Sequence, residues 1–259
     1  MSLEVMDLKV SLTSGEMVAE NISFHIAKGE MLSIVGGSGA GKTTVCRAIM
    51  GLLGANYTIE GSITYQALNL LSLPMKRLRQ LYGKEICFIM QNPMTAFNPS
   101  IRIGRQLERT YLRHNGRIPK EEMLCQIEGT LRRLGLEDTQ RILKSYPFAL
   151  SGGMLQRIMI AAALMNHPQV LIADEATTAI DACNRTGLMK ELRKLCGEGM
   201  SILFVTHDLR AAANSDHILI MDHGRVVEAG RTKSVLNAPK EEYTKFLLNT
   251  CRLERRCCI

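Results

Sequence analysis

Gly36-Gly37-Ser38-Gly39-Ala40-Gly41-Lys42-Thr43 fits the phosphate-binding loop pattern G-x-x-x-x-G-K-[ST] without a mismatch. The apolar run Met31 to Val35 leads into it and a helix-compatible stretch from Thr44 to Leu53 follows, so the loop stands between a strand and a helix, as the motif requires. Gly36, Gly39 and Gly41 permit a tight turn that points successive N–H groups into a concave anion nest. The following helix adds the positive end of its dipole at the same point. In such a loop Lys42 reaches the β- and γ-phosphates, and the Thr43 hydroxyl ligates Mg²⁺. The pattern implies a bound nucleotide, with Gly36 to Thr43 and the next residue, Thr44, as its binding residues.

The surrounding chain has 259 residues, 46% hydrophobic and 22% charged, the composition of a globular protein that buries a core. No apolar run approaches the ~20 residues of a membrane-spanning helix, and no basic stretch followed by an apolar block opens the chain. A cytosolic chain is the expectation, with docking on a membrane protein left open. The net charge of +7 is spread along the sequence, with local clusters at Lys76–Arg79 and Arg252–Arg256. That pattern reads as a solvated basic face, and no nucleic-acid partner is expected. The eight cysteines show no CxxC pair and read as reduced thiols. Cys251, Cys257 and Cys258 near the C-terminus give a metal or iron–sulfur centre only a thin basis.

Upstream of the loop, Leu3, Val5, Leu8, Val10 and Leu12, then Ile22, Phe24 and Ile26, alternate with the period of half-buried strands, with Ser14-Gly15 as the turn between them. Tyr57 to Gln66 reads as another strand pair turning at Glu60-Gly61, and Leu71 to Leu81 as a short helix with Pro74 near its start. Ile86 to Met90 is a short covered strand. From Asn92 to about Leu164 apolar residues recur at helical spacing, as in Ile127, Leu131 and Leu134, which predicts a helical subdomain inserted between strands. Beyond Pro168 strands return at Val170–Ala173 and Ser201–Val205, with helices from Ala182 to Cys196 and from Asp208. A hairpin follows around Asp222-His223-Gly224, and helices begin at Thr232 and Glu242. The alternation predicts an α/β fold with a mostly parallel sheet and a small antiparallel sheet at its N-terminal end. One domain is expected over residues 1–250, with the helical subdomain at about 92–164 and a tail at 251–259.

The second half of the site follows the strand Gln169-Val-Leu-Ile-Ala, which ends in Asp174-Glu175. In a phosphate-loop ATPase the first acid holds Mg²⁺ and the second polarises the attacking water. Leu150-Ser151-Gly152-Gly153-Met154-Leu155-Gln156-Arg157 puts a hydroxyl and exposed N–H groups at the start of a helix, a second anion-binding surface. Together these motifs resemble those of ATP-binding cassette (ABC) ATPases, and LSGGMLQR resembles that family's signature. The remaining family positions stand in the expected order. Gln91 resembles the Q-loop glutamine, Ala179-Ile180-Asp181 the D-loop, and Thr206-His207-Asp208 the switch histidine.

The resemblance implies a P-loop NTPase (RecA-like) core that binds ATP and Mg²⁺ and hydrolyses ATP. It implies Glu175, His207 and Gln91 as catalytic residues, with Thr43, Gln91 and Asp174 at the metal. It also implies head-to-tail pairing with a second ABC ATPase subunit, so that Ser151, Gly152 and Gly153 of one chain cover the ATP of the other and Asp181 links the two sites. Two integral-membrane permease subunits and, indirectly, an extracytoplasmic substrate-binding protein complete the implied assembly, which places the chain at the cytoplasmic face of the cell membrane. Three positions depart from the family pattern. Leu12 stands where an aromatic often stacks on adenine, forgoing ~1 kcal/mol. Ala176 replaces a proline after the two acids, and Ile180 replaces a leucine.

Within the family, Met90-Gln91-Asn92-Pro93-Met94-Thr95-Ala96-Phe97-Asn98-Pro99 resembles the extended Q-loop of dipeptide, oligopeptide and nickel importers. Tyr146-Pro147-Phe148 and Tyr243-Thr244-Lys245-Phe246-Leu247-Leu248 fit the same branch. The Met-Leu-Gln-Arg ending of the signature is most similar to the D-type nickel-import ATPases, so nickel or peptide is the implied cargo. The segment Asn92–Arg113 is then expected to form the groove for a permease helix. The rival readings are an exporter ATPase, a DNA-maintenance ATPase and a translation factor. The Q-loop kinship weighs against the first, the interval of about 110 residues without sustained heptads against the second, and the room for only one cassette against the third.

Overall fold

A computed structural model describes residues 3–177, 180 and 182–256. The chain opens with β1 (Leu3–Leu12) and β2 (Met17–Ile26), antiparallel across the expected turn at Ser14-Gly15. Their alternating apolar residues, Leu3, Val5, Leu8 and Val10 against Ile22, Phe24 and Ile26, face one buried layer. β3 (Met31–Val35) is buried along its whole length and delivers the chain to the glycine-rich loop and α1 (Lys42–Ile49). β4 (Tyr57–Tyr65) and β5 (Leu68–Asn69) complete a four-stranded antiparallel sheet in the order β2-β1-β4-β5.

Glu60-Gly61 is not a turn, because β4 runs unbroken through both residues. Gly61 instead stands opposite a bulge. β1 pairs Met6 with Ser62 and Lys9 with Glu60, so Asp7 and Leu8 together face one residue. A glycine suits this place for two reasons. Its φ is +99°, and an added Cβ would lie 2.6 Å from the Asp7 carbonyl oxygen and 2.7 Å from that of Met6. The real turn is Gln66-Ala67, two residues with φ of 47° and 66° that join the pair Tyr65 and Leu68. Such a turn usually carries Asn-Gly, and its absence hid the hairpin. Gly61→Ala should destabilise the fold by at least ~2 kcal/mol through positive-φ strain and the carbonyl clash, a fall of ~5 °C or more in a thermal melt. An unchanged melting temperature would show that the bulge relaxes freely.

The expected helix at Leu71–Leu81 is also divided. A 3₁₀ turn at Leu70–Ser72 precedes Pro74, and α2 (Met75–Leu81) starts only after it, since a residue before proline is driven out of helical geometry. β6 (Ile86–Ile89) then enters the second sheet. The helical layer follows as α3 (Pro93–Ala96), α4 (Ile103–Asn115), α5 (Lys120–Arg133), α6 (Thr139–Lys144) and α7 (Gly152–Leu164). In α4, Ile103, Leu107 and Tyr111 are buried, and in α5, Met123, Ile127 and Leu131, two stripes at i, i+4, i+8 that meet in one core.

The chain returns through β7 (Val170–Asp174), α8 (Ala182–Gly197), β8 (Ser201–Thr206), α9 (Leu209–Ala212), β9 (His217–Asp222), β10 (Arg225–Arg231), α10 (Thr232–Asn237) and α11 (Glu242–Arg256). α11 crosses the boundary drawn at residue 250. The second sheet has the order β10-β9-β3-β8-β7-β6, parallel except where β10 meets β9. β3, β7 and β8 are continuous buried runs, as expected of strands covered on both faces. The fold is therefore the expected α/β arrangement. Its consequence is positional, because β3, β8, β7 and β6 are neighbours that all end on the same side, where ligands of such sheets bind.

Candidate functional site

The loop Gly36–Gly41 leaves the end of β3 and turns into α1 at Gly41, which holds φ of +90° at the N-cap. A Cβ there would stand 2.9 Å from the Val18 carbonyl oxygen, so neither backbone angle nor space accepts a larger residue. Ser38 and Gly39 are exposed, Thr43 and Thr44 are half-buried, and Lys42 is only 6% exposed. The Lys42 ammonium donates to the carbonyls of Gly36 (2.9 Å) and Gly37 (2.7 Å), curling back over the loop that bears it. Burial lowers its pKa, with the negative charge of Glu175 and Asp174 acting against that shift.

Asp174 ends β7 and is almost fully buried. Burial pushes its carboxyl up from the ordinary aspartate value, more than the Thr43 hydroxyl and the Lys42 ammonium pull it back. Its Oδ1 is buried without a hydrogen-bond partner, an unusual condition for a carboxylate and one that a cation would relieve. Together the Asp174 carboxylate and the Thr43 hydroxyl offer hard oxygen donors beside the glycine-rich loop, the donor chemistry that suits Mg²⁺. The residues present fit that ion.

Glu175 comes next and adopts φ of 49°, a left-handed conformation uncommon for a residue with a side chain and often found at working sites. Its N–H still donates to Val205 of β8 at 2.8 Å, so the backbone is held while the side chain turns away from the strand. Gln91, two residues beyond β6, donates from Nε2 to Glu175 Oε2 at 2.7 Å. His207, directly after β8, places Nδ1 3.3 Å from Glu175 Oε1. Gln91 and His207 thus converge on the Glu175 carboxylate, the three residues coming from the ends of three adjacent strands. Asp208 caps α9 by accepting from Arg210 N and binds Arg185 at 2.8 Å, which steadies the segment that carries His207.

Ser151 is the N-cap of α7, its hydroxyl accepting from Met154 N, and Gly152 and Gly153 form the first turn. They belong to the helical layer, where α7 packs against α3 and α5, and not to the cluster around Glu175. Asp181 lies outside the described residues, as do Ala179, Cys257 and Cys258. Leu12, at the end of β1, is half-buried. A cavity of about 580 Å³ opens beside the first turn of α4, lined by Ser100, Arg102, Arg105, Glu108 and Tyr146 among others. Arg102 stands over the Tyr146 ring at 5.7 Å, and that ring stacks on Phe148, whose side is turned to solvent.

One contact to the loop has no counterpart in the sequence reading. The Tyr243 hydroxyl, from the first turn of α11, accepts the Gly37 N–H at 3.0 Å. The two residues are 206 positions apart, and no local pattern announces the pair.

Residues 19–178 match the family model described as ABC transporter. The chain is 37% identical over 235 residues to the metal-staphylopine import system ATP-binding protein CntD of Staphylococcus aureus, covering 90% of this chain and 86% of the relative. It is 39% identical over 252 residues to the oligopeptide transport ATP-binding protein OppD of Salmonella typhimurium, covering 95% and 75% respectively. Among solved structures, the dimeric post-hydrolysis state of the ATP-binding cassette MJ0796 bound to ADP and Pi superposes with a TM-score of 0.80 at 27% identity, covering 89% of this chain and 98% of that one.

Proposed function

This chain belongs to the ABC transporter family, and from that premise we propose that it is the ATP-hydrolysing subunit of a membrane importer for nickel or for di- and oligopeptides. The observation that carries the hydrolytic reading is the meeting of Gln91 and His207 on Glu175, at the strand ends beside the Lys42 loop. The reading of cargo is supported by kinship alone, since relatives named for metal-staphylopine and for oligopeptide transport match the chain almost equally well.

In this reading Gly36 to Thr44 cradle the phosphates of ATP, and Lys42 exchanges its two loop carbonyls for phosphate oxygens. Thr43, Asp174 and Gln91 would hold Mg²⁺, which when bound neutralises charge developing between the β- and γ-phosphates. Glu175 orients the attacking water and accepts its proton, while His207 contacts the γ-phosphate. The products are ADP and inorganic phosphate. Ser151, Gly152 and Gly153 face the nucleotide of a second ATPase subunit, and Asp181 spans the contact between the two sites. The helix dipole and free N–H groups at the start of α7 are what a terminal phosphate from a partner would meet.

The segment Asn92–Arg113, with its cavity beside α4, receives a helix of one of two permease subunits at the cytoplasmic face of the membrane. No helix among the described residues is long and apolar enough to cross a membrane, and in this reading the chain attaches by docking on the permeases. An extracytoplasmic binding protein then acts only through the permeases. The reading is tested by uptake of radiolabelled nickel and of radiolabelled dipeptides in a strain lacking this chain. Loss of one activity, restored by the wild-type chain but not by Glu175→Gln, is the expected result. Normal uptake of both would overturn the assignment of cargo.

A further inference from the structure

The Tyr243 contact joins two parts of the molecule that the family motifs treat separately. Gly37 is held from both sides: its carbonyl accepts the Lys42 ammonium at 2.7 Å and its N–H donates to the Tyr243 hydroxyl at 3.0 Å. The phenol is itself anchored. Its half-buried ring packs with Leu247, Leu248 and Cys251 of α11 on a cluster that includes Val35, the last residue before the loop, and Leu209 and Ala212 of α9. The approach to α11 is fixed too, because the Glu228 carboxylate accepts the N–H groups of Lys240 (3.0 Å) and Glu241 (3.2 Å). Farther along α11, the Cys251 carbonyl accepts from Arg210 Nη2 at 3.0 Å, and Arg210 sits on the helix that begins just after His207.

We propose that Tyr243 is a positioning residue for the nucleotide site, fixing the front of the phosphate loop through the Gly37 N–H while α11 ties that loop to the segment bearing His207. The inference rests on the reading of Gly36–Thr43 as the ATP-binding loop and adds to it a contact from the far end of the chain. A phosphate-binding loop works by having its N–H groups aimed before the ligand arrives, and a loop free to flex must be ordered at the moment of binding. A neutral phenol suits the task, because it accepts one hydrogen bond without placing a charge beside the phosphates. Gly37 is outside the left-handed region, but a Cβ there would stand 3.3 Å from the Tyr243 hydroxyl, so glycine leaves the phenol room to reach the peptide that it holds in place.

Tyr243→Phe keeps the ring and deletes the acceptor. ATP affinity, measured by calorimetry on the purified chain, should weaken by about fivefold, the worth of one net hydrogen bond. The Gly37 amide should shift in a ¹⁵N-resolved spectrum of the nucleotide-free protein and exchange faster with solvent, which a general loosening of α11 would not confine to that residue. Tyr243→Leu deletes the acceptor together with the ring and should bring a similar or larger loss. Unchanged or tighter ATP binding in Tyr243→Phe, or an unmoved Gly37 amide, would each overturn the proposal. If one variant does not fold, the other decides the matter by its affinity alone. Failure of the wild-type chain to bind ATP would instead remove the nucleotide reading itself, so the two failures are told apart.

Discussion

Lys42→Ala should lose ATP binding by about 100-fold or more, enough to remove it from the micromolar range in a calorimetric titration. A charge-assisted contact to phosphate contributes more than a neutral hydrogen bond, and here it acts in a site where the ammonium is already largely shielded from water. The nucleotide-free protein should respond differently. Burial lowers the Lys42 pKa, so near neutral pH its charge is less favourable in the folded chain than in the unfolded one. That penalty is present below the lowered pKa and fades as pH rises toward the ordinary lysine value. Removing the side chain also removes two bonds to the loop carbonyls, and the opposing effects should leave the nucleotide-free melt within a few degrees of wild type. The upward shift that ATP gives the wild-type melt should be absent. Unchanged ATP affinity would take the loop out of the site altogether.

Glu175→Gln should leave ATP binding within a few-fold of wild type and lower hydrolysis by roughly 100-fold or more, the range general-base catalysis supplies. The substitution is nearly isosteric, but its amide can accept on one side only. Gln91 now donates to Glu175 Oε2 at 2.7 Å, and a glutamine at 175 can preserve that bond only by turning its oxygen toward Gln91. Its NH₂ then faces His207, which suits a neutral imidazole presenting a lone pair at Nδ1. Hydrolysis is read by phosphate release from the assembled transporter, and binding by calorimetry on the same variant. Full turnover would take the role of base away from Glu175.

The large elements could be read in advance because each is set by local sequence. Met31–Val35, Val170–Asp174 and Ser201–Thr206 are apolar runs bounded by turn residues, and Ile103, Leu107 and Tyr111 repeat at helical spacing. The errors fell where local chemistry is ambiguous. Glu60-Gly61 has the composition of a turn, yet glycine there answers a bulge in the neighbouring strand, and only the paired strand reveals it. The true turn at Gln66-Ala67 uses residues that do not favour positive φ, so nothing in the dipeptide marks it. Of the site, the identities of Gln91, Asp174, Glu175 and His207 were visible through family resemblance. The bonds among them, and the unpartnered oxygen of Asp174, arise from strand order and became visible only in three dimensions. Tyr243 lies in a branch-specific run to which the sequence assigns it no role, because a contact across most of the chain leaves no periodic trace.

The double engagement of Glu175 bears on how the protein idles. One carboxylate oxygen faces Gln91 and the other faces His207, so each oxygen is engaged once and keeps a second lone pair for a water. Gln91 leads directly into the helical layer through Asn92 and α3, so the loosening of that bond is mechanically linked to movement of the layer. On the proposed assignment of Glu175 as base, the two contacts fix the direction from which that water can approach. On the same assignment, background hydrolysis should depend on the Gln91 contact as well as on ATP affinity.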